Sequence, residues 1–302
     1  MSRILVTGAS GFIGRRVVDR LVEAGHEVHA VCREAGGGAG LVSWHAADLL
    51  ASPEVVADVQ PETLVHLAWC TEHGKFWTAP ENVCWVEASL ALLRKFVAVG
   101  GRRAVMAGSC AEYDWTGTDG VLRERETPLR PATLYGAAKN GLQEIADAYA
   151  RQEGLELAWG RVFFLYGPDE GRDRLFASVM RALLRGEPAR TTDGTQIRDF
   201  LHVDDVGAAF AALAGSDVTG PVNIASGEGV ALRDVVEFIG QACGRPDLVQ
   251  LGALPQRPGD PHMLVADVDR LSREVGFSPR VSLADGVAEM ARELRLSTTL
   301  DP

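Results

Sequence analysis

Residues 4–16 read ILVTGASGFIGRR, and this stretch decides the fold. A short apolar run at 4–6 predicts a β-strand, and a turn with glycines at 8, 11 and 14 follows it. From Phe12 onward the apolar residues recur at helical spacing, so the turn opens a helix. The N–H groups and the dipole at the start of such a helix form a seat for a pyrophosphate. Three glycines also occur in purely structural turns, but the flanking strand and helix favour dinucleotide binding.

Each glycine of this turn has a separate steric role. Gly8 allows the tight turn, Gly11 lets the phosphates approach the backbone, and Gly14 lets the helix pack closely on the strand. We therefore predict that a dinucleotide lies against Gly8, Gly11, Phe12 and Ile13.

Strand and helix patterns alternate through residues 1–165. This alternation predicts an α/β fold: a Rossmann-type doubly wound parallel sheet that binds the dinucleotide at the carboxyl ends of its strands. Residues 166–302, with helices near 175–184 and 232–243, are predicted to form mainly a smaller C-terminal α/β substrate-binding lobe. The chain is expected to cross back to the large domain near 204–225.

The composition of the 302 residues excludes several classes of protein. A net charge of −11 argues against a nucleic-acid binder, which normally carries a basic face. No apolar run approaches the ~20 residues that a membrane span needs, and no signal-peptide pattern opens the sequence, so we expect a cytoplasmic protein without a membrane partner. The five cysteines are scattered and lack the CxxC pairing of zinc or redox sites, so no metal is predicted.

The residues after the second predicted strand bear on the choice of cofactor. An acidic residue there would bind the ribose 2′-hydroxyl of NAD, but this chain has Cys32 and Arg33, with Arg15 and Arg16 close by in the first helix. Guanidinium groups can clasp a 2′-phosphate in two parallel hydrogen bonds. We therefore predict a preference for NADP(H), with NAD(H) possible; the alternative is that these arginines are solvated surface residues.

Two further segments are placed to contact the cofactor. Asp48 and Leu49 follow a third short strand and are candidates for an adenine contact. Leu67 and Ala68 end a buried parallel strand that leads to the cofactor, whereas His66 of that strand is interpreted as structural rather than catalytic.

The segment 69–85 contains Trp69, Phe76, Trp77 and Trp85 and is predicted to be largely loop. Aromatic side chains of this kind can line a ligand pocket, but they are equally good packing material. The sequence leaves these two alternatives open.

Ser109, Tyr135 and Lys139 are the candidate catalytic residues. Ser109 ends a buried strand, while Tyr135 and Lys139 are four residues apart near the start of a helix and share one of its faces. Lowering a tyrosine pKa from ~10 towards ~7 costs about 4 kcal/mol. This free energy can come from an ammonium beside the phenol, a bound nicotinamide and partial desolvation. We therefore expect Lys139 to favour the phenolate of Tyr135.

These motifs, taken together, resemble the extended short-chain dehydrogenase/reductase family of NDP-sugar epimerases, dehydratases and reductases. The resemblance runs nearly end to end, and its motifs are Thr7-Gly8-x-x-Gly11-x-x-Gly14, Asp48-Leu49, His66-Leu67-Ala68, Ser109, Tyr135-x-x-x-Lys139, Arg161 through Tyr166-Gly167-Pro168, Arg198 through Asp205, Asn223 through Gly227, and Arg257 through Asp260. The last three motifs are specific to this group.

The resemblance implies roles for individual residues. Tyr135 would exchange a proton with the sugar oxygen, Ser109 would hydrogen-bond that oxygen, and Lys139 would lower the Tyr135 pKa and bind the nicotinamide ribose. Arg198 and Arg257 would lie near the nucleoside diphosphate, for which guanidinium groups are well suited; for Arg257 the alternative is a structural turn at the following Pro-Gly. A homodimer through helices at about 81–99 and 135–150 is also implied.

The departures from the family pattern narrow the chemistry. Dehydratases and decarboxylases of the family carry acidic residues just after the catalytic hydroxyl residue, where this chain has Cys110 and Ala111; Glu112 comes one place too late. Trp69, Trp85 and Phe164 replace smaller or polar family residues, which suggests an apolar pocket suited to a deoxysugar.

Three functions remain in view. The first is an NADPH-dependent 4-ketoreductase acting on an NDP-4-keto-6-deoxy sugar. The second is an NDP-sugar 4-epimerase that keeps NAD bound and regenerates it in each cycle, although the lack of an acidic residue at position 32 counts against it. The third is a non-catalytic NADP-binding regulatory protein, which the intact Ser109, Tyr135 and Lys139 set disfavours.

Overall fold

The computed structural model describes residues 1–34, 41–116, 120–256 and 258–299. Its strands, in chain order, are β1 (Arg3–Thr7), β2 (Glu27–Cys32), β3 (Val42–Ala46), β4 (Thr63–His66), β5 (Arg103–Ser109), β6 (Val121–Leu122), β7 (Glu156–Val162), β8 (Phe164–Tyr166), β9 (Ala189–Arg190), β10 (Ile197–His202), β11 (Gly220–Ile224), β12 (Gly229–Ala231), β13 (Val249–Gln250) and β14 (Met263–Ala266). Its α-helices are α1 (Phe12–Glu23), α2 (Val55–Val59), α3 (Glu81–Ala98), α4 (Leu134–Glu153), α5 (Leu175–Leu184), α6 (Val203–Gly215), α7 (Leu232–Ala242) and α8 (Leu283–Thr299).

The large sheet is parallel and doubly wound, as the sequence predicts. Its seven strands run in the order β11-β7-β5-β4-β1-β2-β3. From β1 the chain builds outward to β2 and β3, and then returns to add β4 on the other side of β1. Parallel sheets of this kind bind ligands where the direction of winding reverses, so the site is expected at the carboxyl ends of β1 and β4.

Helices cover both faces of the large sheet. On one face, α1 and α6 pack through buried apolar residues such as Val17, Leu21 and Phe210. On the other, α2, α3 and α4 contribute Val56, Leu92, Phe96, Leu142 and Ala146 to a second apolar layer. Burial on both faces explains why the strands read as nearly continuous apolar runs.

The remaining elements form a smaller unit around a mixed sheet. Strands β12, β10, β14 and β6 follow one another in this sheet, and β8 pairs with β10. Helices α5, α7 and α8 contribute the apolar side chains Phe176, Met180, Val235, Ile239 and Val287 to a third core.

Helix α6 and strand β11 lie in the large unit although they follow the elements of the smaller one, because α6 packs on α1 and β11 pairs with β7. The aromatic segment is loop only as far as residue 80, since α3 begins at Glu81 and carries Trp85. Among the helices of the described ranges, none has the length and apolar character that a membrane span requires.

Candidate active site

The glycine turn leaves no room for side chains. Gly8 has a φ of +67°, which favours glycine, and a Cβ there would lie 2.8 Å from the amide nitrogen of Ala68. A Cβ on Gly14 would overlap the carbonyl oxygen of Gly8, so α1 packs directly on the turn. The turn therefore forms a cradle built of bare backbone.

The start of α1 points N–H groups into this cradle. Gly11 precedes the helix in an extended conformation, and the first helical hydrogen bond runs from the Arg15 N–H to the Gly11 carbonyl oxygen at 3.2 Å. The N–H groups of Phe12 and Ile13 thus lie before the helical ladder begins. Bare backbone and unpaired N–H groups at a helix N-terminus fit a cofactor pyrophosphate.

His66 links the turn to the helical layer. Its Nδ1 lies 2.7 Å from the Thr7 hydroxyl, its Nε2 lies 2.8 Å from the Ser89 hydroxyl, and the Thr7 oxygen also accepts the Leu67 N–H at 3.2 Å. Burial, with a smaller contribution from the charge of Lys139, lowers the pKa of His66 to about 3. A neutral, doubly hydrogen-bonded imidazole is suited to a structural role.

Arginines near the cofactor region differ in what they contact. Arg15 lies 3.3 Å from an Asp169 carboxylate oxygen, and Arg16 Nε donates to Asp204 at 2.7 Å. These ion pairs leave the NADP(H) preference a prediction, because a 2′-phosphate would compete with the carboxylates for both guanidinium groups. Arg33, directly after β2, is exposed.

Asp48 and Leu49 lie beside the end of β2. The N–H of Ala47 donates to the carbonyl oxygen of Cys32 at 2.9 Å, which joins the two strand ends. Leu49 is buried, whereas Asp48 is exposed and accepts the N–H of Leu50 at 3.0 Å.

Ser109 and Tyr135 come together at the carboxyl end of β5. The Ser109 Oγ accepts the Ala111 N–H at 3.2 Å as the cap of a short 3₁₀ turn, and Tyr135 is the second residue of α4, behind the Thr133 cap. Burial raises the pKa of the Tyr135 phenol, and a side-chain hydrogen bond with Ser109 partly offsets this. Desolvation prevails in the protein without cofactor; the expectation that Lys139 favours the phenolate included a bound nicotinamide and stays a prediction.

Lys139 is directed at the end of β5 rather than at the phenol. Its ammonium donates to the Ala107 carbonyl oxygen at 2.8 Å and lies 3.6 Å from the centre of the Trp69 ring. Burial lowers the pKa of Lys139 to about 7, and the charge of Glu112 opposes this.

The two positions after Ser109 carry no acid that could drive dehydration. Burial raises the pKa of the Cys110 thiol to about 12, so it stays neutral. Glu112 is fully buried, where it accepts the Ser109 N–H at 2.7 Å and pairs with Arg161 at 2.7 Å. Glu112 is thus committed to the protein framework.

An aromatic wall faces Tyr135. The rings of Phe76 and Trp77 meet the Tyr135 ring edge-on at 4.9 and 5.8 Å, and Trp115 meets Trp77 at 6.4 Å. The Tyr135 N–H also donates to the Trp77 carbonyl oxygen at 3.1 Å. The aromatic loop therefore packs against the candidate catalytic tyrosine, and its role in lining a ligand pocket stays a prediction.

Sequence reasoning missed Asn82, which organises this loop. Asn82 is fully buried on α3, accepts the Trp69 indole N–H at 2.8 Å, and donates to the carbonyl oxygens of Phe76 and Ala79, each at 2.8 Å. Its position one residue into a helix after an aromatic run was the available signal.

Arg198 on β10 is the described member of the predicted diphosphate pair. It is 4% exposed, donates to Asp260 at 2.7 Å, lies 5.5 Å from the Phe164 ring centre, and lowers the pKa of Cys110 by its charge. Arg198 therefore lies within electrostatic reach of the end of β5. Arg257 falls outside the described residues.

A family model described as the NAD dependent epimerase/dehydratase family matches residues 4–225, which is more than half of the chain. The chain belongs to this family. The match covers the glycine turn, the Ser109, Tyr135 and Lys139 set, and strand β11. It thus confirms the resemblance stated above.

Relatives of the epimerase/dehydratase family align with this chain over nearly its whole length. It is 28% identical to UDP-glucose 4-epimerase of Corynebacterium glutamicum, over 92% of this chain and 91% of that one. It is 28% identical to UDP-glucuronic acid decarboxylase 6 of Arabidopsis thaliana (97% and 89%) and 25% identical to CDP-abequose synthase of Salmonella typhimurium (96% and 98%).

Solved structures agree with the fold. MoeE5 in complex with UDP-glucuronic acid and NAD is 35% identical, with a TM-score of 0.85 over 98% of this chain and 99% of MoeE5. UDP-glucose 4-epimerase of Thermotoga maritima with UDP-glucose is 25% identical, with a TM-score of 0.84 over 99% and 100%. These neighbours bind NDP-sugars, and MoeE5 binds NAD.

Proposed function

We propose that the protein reduces the 4-keto group of an NDP-4-keto-6-deoxy sugar with NADPH. The observation that carries the proposal is the meeting of Ser109 and Tyr135 at the carboxyl end of β5, beside an aromatic wall. A protonated phenol can donate its proton to the keto oxygen, and reduction of the keto group requires such a donor. The apolar wall suits a sugar that has lost its 6-hydroxyl, and the absence of an acid at positions 110 and 111 disfavours dehydration.

In this mechanism the keto oxygen lies between two hydroxyl groups. Ser109 donates a hydrogen bond to it, and Tyr135 transfers its phenolic proton to the same oxygen. When bound, the nicotinamide supplies the hydride that the keto carbon receives. The ammonium of Lys139 stabilises the phenolate that remains, and solvent returns the proton to Tyr135.

Each part of the cofactor has candidate partners. Gly8, Gly11, Phe12 and Ile13 would hold the pyrophosphate through backbone contacts. Asp48 and Leu49 would flank the adenine, Leu67 and Ala68 would lie under the nicotinamide half, and Tyr135 and Lys139 would contact its ribose. The exposed Arg33 supports NADP(H), and without ligand Arg15 and Arg16 pair with carboxylates.

Arg198 and Arg257 are the proposed diphosphate ligands. Arg198 is rigidly held by Asp260, and a guanidinium already oriented in this way loses little entropy on binding phosphate oxygens.

A second candidate is the NAD-dependent 4-epimerase, favoured by the NAD bound in MoeE5 and by the pairing of Arg15 and Arg16 with carboxylates. An epimerase must first remove a proton from the sugar hydroxyl, and the raised pKa of Tyr135 opposes that step until the cofactor binds.

The predicted homodimer is supported by two exposed apolar side chains, Val83 on α3 and Ile145 on α4.

Tyr135→Phe tests the proton donor. With NADPH and a panel of NDP-4-keto-6-deoxy sugars, we expect kcat to fall by at least about 100-fold, while NADPH binding, followed by fluorescence, is retained. Tyr149→Phe, on the same helix, is the matched control and should keep wild-type turnover. Retained turnover in Tyr135→Phe would overturn the assignment.

Cofactor exchange separates the two candidate reactions. Nucleotide released by denaturation is identified, and the emptied protein is titrated with NADPH and NADH. We expect weak, exchangeable binding with NADPH favoured, and Arg33→Ala should weaken NADPH binding by about 10-fold while sparing NADH. Tightly bound NAD with no preference for NADPH would replace the reductase with the epimerase.

A further inference from the structure

Trp69 lies flat over the Lys139 ammonium. The Nζ atom is 3.6 Å from the ring centre, and Lys139 is 4% exposed. A ring face attracts a cation most strongly when the pair is desolvated, as it is here.

The indole is held in this position by uncharged groups. Its N–H donates to the Asn82 side-chain oxygen at 2.8 Å, and its ring stacks on Trp85 at 6.1 Å. Asn82 is itself fixed by the loop carbonyls of Phe76 and Ala79. The ring plane is therefore determined before any ligand binds.

None of the described groups around Lys139 is a carboxylate that forms an ion pair with its ammonium. Glu112, from the turn after β5, is paired with Arg161 and acts on Lys139 only through its charge. His66 of β4 is neutral, and Cys110 and Tyr135 stay protonated. Among the described residues no acidic side chain forms an ion pair with Lys139, although burial disfavours its charged form.

We propose that Trp69 is a positioning residue for Lys139: the ring face of Trp69 keeps the ammonium charged and fixed at the end of β5 without a paired carboxylate. A carboxylate would accept strong hydrogen bonds from the ammonium and so occupy its N–H groups. A ring face accepts such bonds only weakly and leaves those groups available. With the Ala107 carbonyl on one N–H, the ammonium keeps a donor for a bound ligand. The effect of Trp69 on turnover rests on the proposed function, whereas its effect on the charge state of Lys139 is independent of that function.

The chain offers a direct measurement, because Lys75, Lys95 and Lys139 are its only lysines. The full-length protein is labelled with ¹³Cε-lysine, and the three signals are followed by NMR as the pH is raised. In Trp69→Leu we expect the titration of Lys139 to move down by about one pH unit. Trp69→Phe keeps a ring face and should stay close to the wild type, while Lys75 and Lys95 serve as internal controls.

Three results would overturn the proposal. The first is an unchanged Lys139 titration in folded Trp69→Leu. The second is an equal shift of that titration in Trp69→Leu and Trp69→Phe, because this would assign the effect to the loss of the Asn82 hydrogen bond. If Trp69→Leu fails to fold, Trp69→Met fills the same space without a ring face, and an unchanged titration there is the third.

The titration uses no substrate, so it is independent of the reaction. Loss of activity on every keto sugar together with a shifted Lys139 titration would remove the reductase assignment and leave this inference standing. If the protein is an active ketoreductase but the Lys139 titration does not shift in Trp69→Leu, the reductase assignment stands and this inference is overturned.

Discussion

Glu170 carries a buried carboxyl group whose Oε2 atom has no hydrogen-bond partner within the described structure. The residue is 8% exposed, and burial raises its pKa to about 8, with the charge of Arg174 opposing the shift. Arg174 also acts on the Tyr135 phenol, so this carboxyl lies in the electrostatic surroundings of the site. A carboxyl group in this environment is protonated at neutral pH.

This raised pKa predicts a pH-dependent stability. Because the folded-state pKa lies above the unfolded value, the native protein holds a proton that the unfolded chain has released between about pH 4.5 and pH 8, so stability falls as the pH rises through that window. Glu170→Gln removes the titration and should be more stable than the wild type by about 2–4 kcal/mol at about pH 8, with little difference near pH 4.5.

Urea unfolding at both pH values measures this difference. The exposed Glu237→Gln on α7 is the control and should show the same difference from the wild type at both pH values. An offset for Glu170→Gln that does not change with pH would contradict the prediction.

Helices α1 and α6 show how one small residue sets the approach of two elements. Gly207 of α6 lies against α1, and a Cβ there would overlap the Arg16 side chain and lie 2.8 Å from the Arg16 carbonyl carbon. The same contact brings Asp204 within 2.7 Å of the Arg16 guanidinium. Close packing of these helices therefore also places Arg16 beside Asp204.

Gly207→Ala tests this contact. Helix propensity alone favours alanine by about 1 kcal/mol, but overpacking against backbone costs about 1–3 kcal/mol, so we expect net destabilisation. Gly215→Ala, in the same helix with open space around it, should be neutral or slightly stabilising. Thermal unfolding of both variants provides the comparison, and equal effects would show that propensity prevails.

At the scale of the whole molecule, one buried network joins the two sheets. Asn223 of β11 accepts the Tyr113 hydroxyl proton at 2.7 Å and donates to the carbonyl oxygens of Leu122 and Asp267 at 2.9 and 3.0 Å. Arg161 of β7 extends it, donating to the Tyr113 oxygen at 3.1 Å. The large sheet is thus tied to β6 and to the end of β14 in the smaller one.

Asn223→Ala should therefore destabilise the whole molecule. The substitution leaves two buried carbonyl groups without donors, so we expect the free energy of unfolding to fall by about 2–3 kcal/mol. The control Gln152→Ala, which is exposed on α4, should change it by less than about 0.5 kcal/mol. Urea unfolding measures both, and a loss no larger than the control's would show that the network does not stabilise the fold.

The sequence by itself determined the fold class and the family, and it supplied the candidate members of the site. Glycine spacing, strand and helix periodicity, and the four-residue separation of Tyr135 and Lys139 are local properties, and local backbone preferences follow from neighbouring residues. The parallel sheet and the family were therefore predictable. The approach of Ser109 to Tyr135 was implied by the family resemblance, because Tyr135 lies on a helix and no strand pattern places it.

Only the tertiary structure decided which partner each charged side chain takes. Arg15 and Arg16 pair with Asp169 and Asp204, more than a hundred residues away, and no spacing in the sequence specifies such contacts. The pKa of Tyr135 depends on burial, the pKa of Lys139 depends on burial and on the charge of Glu112, and the ammonium of Lys139 lies against a tryptophan from a distant loop. Desolvation and side-chain pairing are properties of the packed chain, so they arise only once distant segments meet.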